Sequence, residues 1–180
     1  MWTVRVAAAG VVVALSACAG GESYGSLPPP GPSSAPPASC GADEGAGACG
    51  EAVVAQYRRF WGEVLPAAAA AAPARRRAVL APVTAEPELT HLVRSLALLD
   101  EKRQRNYGTD VVLEQTVRVD GPGAVVEGCL DSSRSGVADA VSGKALTRGV
   151  PRNPVRADLV READRVWRVT AITYPPGATC

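Results

Sequence analysis

His91 is the only histidine of the chain, and the ordinary imidazole pKa of about 6.5 suits a general base. It stands one residue before the apolar Leu92 on a helix-patterned stretch, where a boundary or surface position is the commoner role of a lone histidine. Asp131 is followed by Ser132 and Ser133. That run is either an acid at the mouth of a pocket or a turn whose carboxylate caps the next backbone amides. Glu114 and Glu127, with Arg156 as partner, are the other charges a folded sheet could turn inward. An acid and a base paired in an apolar pocket would give isomerase or dehydratase chemistry. Glu114 argues against it, because alternation sets it opposite Val111, Leu113, Val117 and Val119. Tyr57, Trp61, Trp167 and Tyr174 are able to line a ligand site, but in a chain with one Phe they are also the natural core. The candidate pocket is therefore Tyr57, Trp61, His91, Asp131 and Trp167, and no residue is assigned a catalytic role.

Other constellations point to less. Arg75-Arg76-Arg77 could face an anionic partner, but a charge run on a short helix is usually a solvated face. Gly121-Pro122-Gly123 is a hairpin turn rather than a phosphate loop, because no strand-to-helix step follows it. No cofactor motif is present. The 19 Lys and Arg balance 18 Asp and Glu, so nothing in the charge calls for nucleic acid.

At 180 residues the chain has room for one domain and modest tails. Its N-terminus has the form of an export signal. Arg5 supplies one positive charge, residues 6–15 are uncharged and mostly apolar, and Ser16 and Ala17 are small. Ten helical residues reach about 15 Å, roughly half a bilayer's hydrocarbon core, so the segment is too short to span. Leu15-Ser16-Ala17-Cys18 resembles the lipobox of bacterial lipoproteins. That resemblance implies diacylglyceryl transfer to the Cys18 thiol, cleavage after Ala17 and acylation by fatty chains such as palmitate. The mature protein is then expected on the extracytoplasmic face of the cell membrane, where two or more acyl chains make a stable anchor. Residues 1–17 are the signal peptide on this reading. Residues 18–50, rich in Gly, Pro, Ser and Ala, form a tether with too little apolar surface to fold, and residues 51–180 are the domain.

With Cys18 given to lipid, Cys40, Cys49, Cys129 and Cys180 remain, an even number for an oxidising compartment. Of three connectivities, Cys40–Cys49 and Cys129–Cys180 is the favoured one, contributing about 2.7 and 4 kcal/mol by chain-entropy arithmetic. A metal site is not expected, since the spacings hold no Cys-x-x-Cys pair and His91 is distant in sequence.

Within the domain, Val53, Tyr57, Phe60, Trp61, Val64 and Leu65 recur at helical spacing from about Glu51. Pro66 is expected to end or bend this helix, although residues 67–72 could continue it. A short second helix is expected over 74–80. A third, with Thr84 as cap and Pro87 in its first turn, carries Leu89, Leu92, Val93, Leu96 and Leu99. After Asn106 the period becomes two. One hairpin turns at Asp120-Gly121-Pro122-Gly123, a weak pair turns at Ser142-Gly143 within 132–150, and a last hairpin joins 153–161 to 165–174.

Helices followed by a curled antiparallel sheet make an α+β domain. Tyr57-Arg58-Arg59-Phe60-Trp61, Gly128-Cys129-Leu130-Asp131-Ser132-Ser133 and Arg165-Val166-Trp167-Arg168-Val169 in that order resemble the NTF2-like (SnoaL-type) superfamily, and its small lipoproteins from high-GC Gram-positive bacteria. The resemblance implies a cone of sheet around the first helix and no particular activity, because fold does not imply function. The expectation is a non-catalytic, membrane-tethered binding or interaction domain, with an envelope protein or a small apolar molecule as partner. The alternative is an NTF2-like isomerase or dehydratase using Asp131 and His91.

Overall fold

The computed structural model describes residues 46–180. The expected signal peptide, Cys18, Cys40 and most of the tether lie outside the described residues. The first helix, α1 (Ala46–Arg59), begins five residues ahead of Glu51 and so brings Cys49 into the fold. Val53, Tyr57, Phe60, Trp61 and Val64 are all buried, as their spacing requires.

Pro66 does not end the helix. Mid-helix, a proline lacks the N–H of the ladder and its ring crowds the carbonyl four residues back. Here the chain first widens into a π-helical turn, Phe60–Val64, in which the Leu65 N–H donates to the Phe60 carbonyl. Pro66 then falls in the first turn of α2 (Leu65–Ala70), where it is tolerated. The extra residue in that turn also lets two consecutive aromatics face inward. Phe60 and Trp61 are both buried and meet edge to face at 4.9 Å.

A 3₁₀ turn (Pro73–Arg75) leads into α3 (Arg76–Leu80), and α4 spans Glu88–Glu101. Arg75 and Arg77 of the arginine run are exposed, as a solvated face requires, but Arg76 is not. Arg76 is buried and donates to both carboxylate oxygens of Asp100 at 2.6 and 3.1 Å, tying α3 to α4. Nor does Thr84 cap α4. The chain at Val83 and Ala85 exchanges backbone hydrogen bonds of 2.8 Å with Val169, and Thr84 is buried beside the last strand. The apolar residues around Thr84 are drawn onto the sheet edge, and the Glu86 carboxylate accepts from the Thr90 N–H instead.

Four antiparallel strands form the main sheet in the order β2 (Val111–Asp120), β3 (Gly123–Asp131), β5 (Asn153–Arg161), β6 (Trp167–Thr173). The β2–β3 link is a two-residue turn with Gly121 at φ 55°, the left-handed conformation such turns demand. A separate ribbon pairs β1 (Gln104–Tyr107) with β4 (Gly136–Asp139). The expected pair within 132–150 is thus reduced to a single bridge, Ala138 to Ala145, and β4 takes its main partner from further up the chain.

One face assignment is overturned. A bulge between Val112 and Glu114 inserts an extra residue into β2, and every residue before it changes face. Val111 and Leu113 are consequently exposed, while Val112, Gln115, Val117 and Val119 are the half-buried positions. The inner face adds Ala124, Val126 and Leu130, then Val155, Ala157 and Leu159, then Trp167 and Val169. Bulges in β2 and between β5 and β6 curve the sheet around α1. The buried Gln56 on α1 donates to the Trp167 carbonyl at 2.9 Å, fastening the helix to the sheet. The result is an α+β fold of helices packed on a curved antiparallel sheet, the layout that the NTF2-like resemblance implies. Among the described residues no helix is long and apolar enough to cross a membrane.

Candidate functional site

Where the π-helical turn, the β1–β4 ribbon and the end of β6 meet, a cavity of about 250 Å³ remains. Trp61 and Pro66 line it from the helix, Tyr107 from the ribbon, Asp110 and Ser135 from the links that flank the ribbon, and Tyr174 from the residues after β6. Each is held in place. The π turn sets Trp61, the Tyr107 hydroxyl donates to the Thr147 carbonyl at 2.9 Å, and the Ser135 hydroxyl donates to the Asp110 carboxylate.

Tyr57 stands behind this cavity, edge to face with Trp61 at 6.3 Å and wholly buried. Its hydroxyl lies under Gly128 of β3, so close that any Cβ there would collide with it. Burial pushes the Tyr57 phenol well above its ordinary range, with the Trp61 indole offsetting part of the effect. Neither the Tyr57 hydroxyl nor the Trp61 Nε1 makes a hydrogen bond of ordinary geometry. Tyr174 is pushed up to about 12, first by burial and then by the negative charges of Asp110 and Glu88. At neutral pH it is a phenol, able to donate or to accept. Glu88, buried at the start of α4, is itself raised by desolvation, and its neighbour His91 partly offsets this.

The other sequence candidates lie elsewhere. His91 is exposed over 67% of its side chain, with Nδ1 3.4 Å from the Glu88 carboxylate, and it does not line the cavity. Asp131 accepts from the Ser133 N–H at 2.9 Å, and its bonds to Ser133 hold it below the usual carboxylate range. It is a turn cap rather than a pocket acid. Trp167 belongs to the core, with the Arg161 guanidinium 5.7 Å from its ring. The structure thus brings Tyr57 and Trp61 together with Tyr174 and leaves out His91, Asp131 and Trp167. Tyr107, Asp110 and Ser135 escaped sequence reading, because they sit on a short strand and loops without periodicity.

A second hollow, about 530 Å³, lies between the outer face of the sheet and the C-terminal tail. Cys129 points outward there and is covered because a disulfide joins it to Cys180. Cys49 is also disulfide-bonded, and its expected partner Cys40 lies outside the described residues. Glu127 and Arg156 do pair, at 3.9 Å, but on this outer surface, where Glu127 also meets Arg118 at 3.1 Å. Glu114 is taken by Arg152. These are solvated strand charges, already matched with one another, and they leave the hollow no unspent chemistry. Among the described residues no group of His, Cys, Asp and Glu is placed to hold a metal ion.

No family model and no curated protein matches the chain. Solved structures do, at low identity. The intermembrane space region of the chloroplast protein ARC6 aligns at 17% identity and a TM-score of 0.45, over 69% of this chain and 92% of its own. A protein from Catenulispora acidiphila aligns at 15% and 0.46, over 69% and 91%. Kfla4162 from Kribbella flavida aligns at 13% and 0.42, over 71% and 87%.

Proposed function

We propose that this chain is an extracytoplasmic lipoprotein, held at the cell membrane through Cys18, whose folded domain binds a small ligand rather than transforming one. The observation that carries the reading is the cavity beside Trp61. Tyr57, Phe60, Leu80 and Trp167 are wholly buried in the core, and this cavity opens where the π turn, the β1–β4 ribbon and the end of β6 meet. Its polar lining is the phenols of Tyr107 and Tyr174, Asn106, Thr109 and the Asp110 carboxylate bonded to the Ser135 hydroxyl. Such groups orient a ligand by hydrogen bonding, the usual pattern of a few polar atoms in an otherwise apolar site. His91 and Asp131, on which the enzymatic alternative relied, lie outside it. The lipobox resemblance and the tether supply the anchoring half of the reading.

Two measurements test it. Cys18→Ser in the exporting host should move the protein from the membrane fraction to the medium; retention in the membrane counts against the anchor. A melting screen of the purified full chain against small polar molecules should find ligands that raise its melting temperature, and an empty screen counts against the binding site.

A further inference from the structure

We infer that the cavity beside Trp61 takes a small organic cation of the alkylammonium class, an inference that rests on the reading of the domain as a small-ligand binder. Three aromatic side chains from three separate parts of the fold, Trp61, Tyr107 and Tyr174, line it together with one carboxylate, Asp110. No Lys, Arg or His is among its lining residues. Aromatic faces are the negative ends of the ring quadrupole, and Trp is the strongest of them for a cation.

Asp110 is the second half of the argument. It is half-buried and accepts from the Ser135 hydroxyl, but no cation lies within ion-pairing distance among the described residues. Asp110 is the one carboxylate among the residues that line the cavity. After burial, the charges of Asp110 and Glu88 raise the Tyr174 phenol further.

Alternatives fit less well. An anion would meet Asp110 with no positive side chain in the lining to hold it. A purely apolar ligand would strip water from Asp110 and give nothing back. A cation satisfies the carboxylate and the three rings at once, as in aromatic cages that hold quaternary ammonium groups. Size narrows the class. The cavity of about 250 Å³ equals roughly eight water volumes and falls below the range of drug-sized sites, which suits an ammonium with short alkyl arms. Tyr174, about half exposed, lines the cavity and keeps ring surface open to a bound group.

The test uses the full chain with two probes of one shape, choline and its neutral carbon isostere 3,3-dimethylbutan-1-ol, titrated by calorimetry at constant ionic strength. Choline should bind saturably, and the isostere about tenfold more weakly or less. Asp110→Asn, which keeps an acceptor for Ser135, should weaken choline by about tenfold with an unchanged melting temperature. Tyr174→Leu should weaken choline as well, while Tyr174→Phe, which keeps the ring, should not. Equal binding of choline and isostere, or an Asp110→Asn variant that binds choline like the parent, overturns the cation assignment and leaves the binding reading standing. If neither probe saturates, the cation assignment also falls. The broader reading then falls only if the melting screen is empty too.

Discussion

The hydroxyl of Tyr57 and the backbone of Gly128 occupy the same small space, with no room between them for a side chain. The helix and the third strand approach this closely because residue 128 has no Cβ. Gly128→Ala should therefore cost about 1–3 kcal/mol, the range of overpacking in a filled core. Tyr57→Phe removes a buried hydroxyl that makes no hydrogen bond of ordinary geometry, so it should change stability by less than about 1 kcal/mol. The double variant is the informative one. Without the hydroxyl, the nearest ring carbon stands 3.2 Å from the new methyl, and the two changes together should cost less than Gly128→Ala alone. Denaturant melts of the four proteins read this directly; strict additivity contradicts the contact.

The bidentate pair between Arg76 and Asp100 predicts an asymmetry. Asp100→Ala leaves a buried guanidinium without its partner and should cost about 1–3 kcal/mol, less than a fully buried pair because Asp100 is partly open to water. Arg76→Met, which fills the site without charge, should be milder than Arg76→Ala. Equal losses from Met and Ala would deny the packing role of the Arg76 stem.

Acid stability follows from the direction of the carboxylate shifts. Asp100, Asp131, Asp139 and Glu86 are held below their ordinary values, each first by a hydrogen bond from a neighbour, and Asp164 is lowered to about 2 by Arg168. A depressed folded-state pKa stabilises above the unfolded value and is lost as pH falls through the folded one. Stability should thus be near its plateau above about pH 5 and decline progressively from about pH 4 toward pH 2. Asp164→Asn should flatten the lowest part of that decline. Chemical denaturation at several pH values checks it; a loss centred near pH 6.5 would contradict it.

The tail beyond β6 is held over the sheet by Cys129–Cys180. Replacing both cysteines by serine should lower stability by about 2–4 kcal/mol, since the bond closes a long loop in the unfolded chain. It should also bare the outer face at Glu114 and Arg156. Protease digestion should then release the tail first, with the core intact; simultaneous loss of both would show that the bond holds the whole sheet.

Much of this fold is legible in the residues. The spacing of Val53, Tyr57, Phe60, Trp61 and Val64 specifies a buried helical face, and Gly121-Pro122 specifies a tight hairpin. What alternation could not reveal is a bulge. One extra residue near Leu113 reverses the faces of Val111 and Leu113, and nothing in their type announces it. Thr84 is a good cap residue in isolation, but its apolar neighbours are worth more on the edge of β6. Arg76 looks like surface in sequence and is buried because Asp100, far along the chain, offers a matching carboxylate. The site is the least legible part. Trp61 marks it, while Tyr107, Asp110 and Ser135 are brought together by the pairing of β1 with β4, a long-range event between two strands of four residues.

The most direct test of the central claim is the intact mass of the protein purified natively from an exporting host, under denaturing and then native conditions. The account predicts a chain beginning at Cys18 with diacylglyceryl attached, and a small retained mass that is lost on denaturation. A chain that keeps Met1, carries no lipid and holds nothing under native conditions would contradict it.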